Sequence, residues 1–122
     1  MDFYPTFLEL AGLKPGNKPI DGESLLPLFT RKGGLRRKQI FFHYPNYAWH
    51  MGNRLAGAVR EGDWKLLRNY DDNSLELYNL ARDLSEKHNL AKSEVALAKR
   101  LNGELGKWLE ATNAPMPRPP KQ

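Results

Sequence analysis

The sequence predicts an α+β fold: a four-stranded antiparallel sheet covered by one long C-terminal helix and preceded by a short N-terminal helix. Three observations carry this. Apolar and aromatic residues recur at strand spacing from Gln39 to about Leu80, with turn residues between the runs. From Ser93 to about Thr112 the apolar period becomes helical. At the front, Phe3, Phe7, Leu8 and Ala11 fall on one helical face that ends at Gly12.

Each element follows in order. Asp2 is suited to cap the first helix, and Pro5 is tolerated in its first turn. KPGNKPIDGES reads as loop with Asp21-Gly22 as a turn, and SLLPLF, interrupted by Pro27, as a single helical turn. QIFFHY is the first strand. LAGAVREGDWKLLRNYDDNSLELYNL reads as a meander of three more strands, turning at Glu61-Gly62-Asp63 and at Asp71-Asp72-Asn73. Trp64, Leu66 and Tyr70 share one face of its middle strand, and Leu75 and Leu77 one face of its last. DLSEKHNLA is a polar connection. Ser93 then caps a helix whose stripe is Ala98, Leu101, Leu105 and Trp108, joined by Val95 and Leu109. The tail APMPRPPKQ, with four prolines, is extended. The boundaries expected are an end segment, 1–35, and a subdomain, 36–122, carrying the Pro-rich tail at 113–122.

Composition narrows the function classes. A chain of 122 residues with 40% hydrophobic and 27% charged residues suits a globular domain rather than a disordered one. No apolar run approaches the roughly 20 residues that span a bilayer, so no membrane partner is expected. Met1 leads directly into DFYPTFLELAGL, without the basic n-region of a secretory signal. The absence of cysteine removes disulfides, thiolate nucleophiles and thiolate-ligated zinc. The net charge of +5 is concentrated in RKGGLRRK, where five of eight residues are basic. A solvated loop is the first reading of that run; contact with a sulfated or phosphorylated polyanion is the second, with nucleic acid the weaker partner.

The densest chemistry lies in FFHYPNYAWHMGN, residues 41–53. His43 and His50 are seven residues apart with no carboxylate between them, which is not a dedicated metal spacing. Packing with hydrogen bonding, service as a substrate-pocket wall, and metal binding all remain open, in that order. His88 is expected to satisfy a turn carbonyl, Asp71 and Asp72 to be solvated at a hairpin tip, and Arg60 to be a structural hairpin residue. No Ser-His-Asp or Cys-His arrangement and no phosphate-cradling glycine loop is present.

The order of phrases says more than any one of them. DFYPTFLELAGL, IDGESLLPLF, FFHYPNY, AVREGDWKLL and LELYNLARDLSEKHNLA, in this succession and over nearly the whole chain, resemble the C-terminal portion of formylglycine-dependent, arylsulfatase-like enzymes of the alkaline-phosphatase-like superfamily. The resemblance implies a sulfuric-ester hydrolase acting on aryl or carbohydrate sulfates. In that family a CxPSR cysteine becomes formylglycine, and aspartates with an asparagine hold calcium. Those residues belong to a large catalytic domain, and neither CxPSR nor a matching aspartate pair occurs here. The chain is therefore expected to hold no catalytic residue and no metal ligand, and to be inactive alone. Formylglycine and calcium are expected in the missing catalytic domain, and a periplasmic or secreted location in the full-length family. The family architecture makes His43, Tyr44, Tyr47 and His50 candidates for a pocket wall facing a sulfated small molecule or glycan. The rival reading is a free-standing basic module that binds sulfated glycan or nucleic acid. The apolar residues Phe3, Phe7, Leu8, Leu25, Leu26, Leu28 and Phe29 suit packing on that missing domain. Exposed in an isolated chain, they predict self-association or poor order of residues 1 to about 35.

Overall fold

The computed structural model describes residues 1–17, 19–46 and 52–118, and the chain divides into two compact units, Met1–Lys38 and Gln39–Gln122. The first contains α1 (Phe3–Leu10) and the short turn α2 (Leu26–Phe29). α1 closes as the sequence predicts: Gly12 takes a left-handed φ of +68°, which lets the Leu13 N–H reach the Leu8 carbonyl at 2.8 Å.

α1 turns most of its apolar face outward, as expected of residues that suit packing on a domain outside this chain. Its buried residues are Pro5 and Thr6, whereas Phe3, Tyr4, Phe7 and Leu10 are all more than half exposed. This unit has too little chain to cover two faces of a helix, and hydrogen bonding decides which one turns inward. The Thr6 hydroxyl donates to the Asp2 carbonyl at 2.6 Å and accepts from the Leu25 N–H at 2.9 Å. Asp2 makes no side-chain cap, contrary to expectation. Its carboxylate accepts from the Glu23 N–H and from both terminal nitrogens of Arg37. Glu23 in turn accepts from the N–H groups of Arg36 and Arg37. DFYPT and IDGES are thus two halves of one polar clamp.

The clamp gives this unit a pH dependence. The Arg37 guanidinium, reinforced by the Glu23 N–H and opposed by partial burial, holds the Asp2 carboxyl at about 2, below its ordinary 3.8. A depressed carboxylate stabilises the folded state above its unfolded value and loses that contribution as pH falls through its folded one. Stability of Met1–Lys38 is therefore expected to be flat above about pH 4.5 and to drop by on the order of 1 kcal/mol towards pH 2. Hydrogen exchange at the Leu25 amide, followed with pH, checks this. An Asp2→Asn chain that keeps the same acid loss would refute it.

The second unit is a meander of β1 (Gln39–Tyr44), β2 (Ala56–Glu61), β3 (Trp64–Asn69) and β4 (Leu75–Asn79), in the order β1-β2-β3-β4 with every pair antiparallel, followed by α3 (Val95–Ala111). Register aligns Phe41 with Val59, Val59 with Leu66, and Leu66 with Leu77. This row faces α3, where Ala98, Leu101, Leu105 and Leu109 complete the core. Trp108 stacks on Phe41 with ring centroids 5.1 Å apart.

Two helix details differ from expectation. The helix begins at Val95 behind Glu94, because the Ser93 hydroxyl donates to the Leu90 carbonyl instead of capping. Val95 is exposed and stands outside the stripe. At the other end Asn113 adopts a left-handed φ of +47°, and the Ala114 N–H bonds the Leu109 carbonyl, so the tail turns sharply away from the helix axis. The connection after β4 is more than a polar loop. Asn89 accepts from the Leu77 N–H and donates to the Leu75 carbonyl, and the Leu90 N–H bonds the Leu77 carbonyl. That segment satisfies the outer edge of β4.

Candidate functional site

Alternation along the strands gives the sheet two unlike faces. On the face away from α3 lie Phe42 and Tyr44 of β1, Ala56, Ala58 and Arg60 of β2, and Lys65 and Leu67 of β3. The alanines are too small to fill the space between their larger neighbours, and a groove of about 600 Å³ results, lined by Phe42, Tyr44, Ala58, Arg60, Lys65 and Leu67 among others. Phe42 and Tyr44 are 57% and 45% exposed, so of the two phenylalanines of β1 only Phe41 packs against the core. Lys65 bonds Glu86 at 2.6 Å on the rim, and Arg60 donates to the Gly62 carbonyl at 3.2 Å, which agrees with a hairpin role.

His43, between Phe42 and Tyr44, faces the opposite way. Its imidazole lies on the helix side of the sheet, where Nδ1 is 2.7 Å from the Tyr70 hydroxyl and Nε2 is 2.8 Å from the Pro115 carbonyl. Both ring nitrogens are engaged, which leaves only the ring edge for any further contact. Tyr44 is the pocket-wall candidate whose side chain opens onto the groove. Tyr47 and His50 lie outside the described residues. The structure therefore places His43 and Tyr44 consecutively on one strand, directed to opposite faces of it.

The residues that seat His43 carried little signal in the sequence. Tyr70 reaches it from the end of β3, and its hydroxyl occupies space that Gly57 leaves open. A Cβ built on Gly57 would stand 2.3 Å from the Tyr70 oxygen and 3.2 Å from Leu105 Cδ2. Burial pushes the Tyr70 phenol above its usual value, so the O–H stays a donor at neutral pH. Gly57 could have been suspected as a glycine inside a strand, which often marks a close approach. Its partner thirteen residues on could not.

Other candidates resolve into structural roles. His88 pairs with the Asp83 carboxylate, which also accepts the His88 N–H at 2.8 Å, so it serves a carboxylate and not a turn carbonyl. Asp72 accepts from the Ser74 N–H at the hairpin tip. In the basic run, Arg37 is bound to Asp2 and Arg36 to Glu23, so two of its five cations face carboxylates of their own unit. Among the described residues no group of three His, Cys, Asp or Glu side chains converges as a metal site. The described residues therefore supply no donor set for calcium, and the sequence has no cysteine from which formylglycine could form.

A protein solved in complex with its substrate, D-glucosamine-2-N,6-O-disulfate, superposes with a TM-score of 0.68 at 32% identity, covering 91% of this chain and 23% of that one. A sulfatase of Formosa agariphila is 35% identical over 94% of the chain, and an N-acetylglucosamine-6-O-sulfatase of Bacteroides thetaiotaomicron 36% identical over 92%. The chain spans 23% and 20% of those two relatives. Residues 1–113 match the family model described as N-sulphoglucosamine sulphohydrolase, C-terminal, and the chain belongs to that family.

Proposed function

We propose that this chain serves as the C-terminal portion of an enzyme that hydrolyses sulfate esters of aryl or carbohydrate substrates, supplying packing surface and one wall of the substrate pocket. The observation that carries the reading is the family match over residues 1–113, on a sequence without cysteine whose described residues form no metal-ligand cluster. Formylglycine and calcium would belong to the remainder of such an enzyme, and no step of the reaction is assigned to residues here. Relatives act on sulfated amino sugars, as their names state, which favours a sulfated glycan as substrate class.

Within the described residues, Tyr44 is the group best placed to meet a substrate: its ring can stack on a sugar face and its hydroxyl can bond a ring hydroxyl. His43 would contribute through its ring edge and through the position of β1. Tyr47 and His50 complete the proposed wall. The exposed row Phe3, Tyr4, Phe7, Leu28 and Phe29 would pack on the rest of the enzyme, and in the isolated chain it would drive self-association.

One experiment tests these roles together. This chain replaces the matching portion of the Bacteroides N-acetylglucosamine-6-O-sulfatase, and the hybrid is compared with the chain alone. The chain alone is expected to be inactive and to scatter light as an oligomer; the hybrid is expected to be monomeric and active. In it, Tyr44→Phe should raise KM by roughly fivefold, the worth of one hydrogen bond. A folded hybrid whose KM ignores Tyr44 would remove the pocket wall from the proposal.

A further inference from the structure

We propose that His43 is a positioning residue: held by Tyr70 in the slot beside Gly57, it latches the C-terminal tail at Pro115 to the end of β1 and so fixes Tyr44 over the groove. The clause about Tyr44 rests on the pocket-wall reading; the latch itself does not.

The geometry determines the proton. A carbonyl oxygen only accepts, so the 2.8 Å contact with Pro115 requires a proton on Nε2 of His43. In the neutral ring, Nδ1 is then an acceptor, and the Tyr70 hydroxyl, 2.7 Å away, donates to it. The two rings also meet edge to face at 5.4 Å. One imidazole therefore joins three pieces of chain remote in sequence: the end of β1, the end of β3, and the tail beyond α3.

Each partner is itself constrained. Tyr70 N–H bonds the Leu55 carbonyl at 2.8 Å, anchoring its backbone to the start of β2. Gly57, cross-strand from His43, supplies the slot that the Tyr70 hydroxyl fills. The reversal at Asn113 sends the tail back, and Ala114 packs against the core one residue before the latched carbonyl. β1 is an edge strand with one ladder partner, so its end is the part of the sheet most prone to fray. The hydrogen bond from His43 to the tail ties down that end from the helix side. Because His43 and Tyr44 are adjacent and point to opposite faces, immobilising the first sets the direction of the second.

The test uses nuclear magnetic resonance on the whole chain and kinetics on the hybrid enzyme. Imidazole nitrogen shifts should report His43 protonated at Nε2, and the Met116 amide should have an order parameter near 0.85, as in rigid backbone. His43→Ala should lower that parameter below about 0.6. His43→Gln, whose amide nitrogen falls where Nε2 stood, should restore it; His43→Asn, whose nitrogen falls at the Nδ1 position, should not. Tyr70→Phe removes the donor to Nδ1 and should loosen the ring, lowering the Met116 order parameter by less than His43→Ala does, without unfolding the sheet. In the hybrid, His43→Ala should raise KM roughly fivefold with kcat within about twofold, and Gln should rescue it. Equal order parameters for wild type and His43→Ala, or an Nδ1–H ring, would overturn the latch. A loosened tail with unchanged KM, where Tyr44→Phe does raise KM, would overturn the positioning role alone. If neither substitution moves KM, the pocket-wall reading fails with it, while the resonance data still decide the latch.

Discussion

Gly57→Ala is expected to destabilise the second unit by roughly 2–4 kcal/mol, although it adds one methyl group to a residue in the middle of a sheet. In most strands this exchange is mildly favourable, because alanine restricts the unfolded chain more than glycine does. Here the added carbon would lie 2.3 Å from the Tyr70 oxygen, 3.1 Å from Tyr70 Cζ and 3.2 Å from Leu105 Cδ2. Neither neighbour can yield cheaply. Leu105 is fully buried in the core, and the Tyr70 hydroxyl is bonded to His43. Overpacking of this kind costs ~1–3 kcal/mol, and the lost hydrogen bond about 1 more. The check is a shift of the urea midpoint with an unchanged slope. The cause is isolated by adding Tyr70→Ala: with the ring gone the methyl has room, so the double variant should be markedly more stable than the sum of the single losses. Additive losses would show that the slot is not what requires glycine.

Leu66→Ala is expected to cost about 3–5 kcal/mol. Leu66 has no exposed surface and stands in the row Phe41, Val59, Leu66, Leu77, against Leu101 and Leu105 of α3. Strand backbones on both sides hold the walls of the resulting cavity apart, so little of the loss can be recovered by collapse. Leu67, the next residue, faces the open groove, and Leu67→Ala should cost about 1 kcal/mol or less. Thermal unfolding of the two variants side by side measures the asymmetry of the faces. Equal losses would mean that the groove side is as well covered as the helix side.

The resemblance drawn from phrase order covered almost the same residues as the family match, and the physical sense of the phrases emerges only in the fold. DFYPT and IDGES are separated by a loop, and nothing in their spacing announces that Thr6 and Asp2 bind the backbone of the second phrase. Periodicity marked Phe3 and Phe7 as one apolar face but gave no sign that Pro5 and Thr6 would be the buried one, since it ranks residues by hydrophobicity and is blind to the demand of a buried N–H for a partner. In HNLA, Asn89 read as a loop residue; its amide completes the ladder of β4, which is a property of an edge that sequence pattern does not see.

Within the candidate site the division has the same origin. His43 and Tyr44 were read together as one pocket wall, whereas strand alternation turns them to opposite faces, and which of those faces the helix would cover depended on Phe41 meeting Trp108 across the core.

Local periodicity and turn chemistry, acting over a few residues, determined the elements: the meander, its turns at Gly62 and Asn73, and the apolar stripe of α3. These signals are short-range because they arise from backbone geometry and from the pleat and pitch of each element. Tertiary structure alone decided what joins distant segments: Asp2 with Arg37, Gly57 with Tyr70, and His43 with Pro115, seventy-two residues apart. A hydrogen bond has a range of about 3 Å in space and none along the sequence, so residues that meet this way leave no period to read. His43 stood out in the sequence for the company it keeps on its own strand, and its work in the structure is with residues from elsewhere.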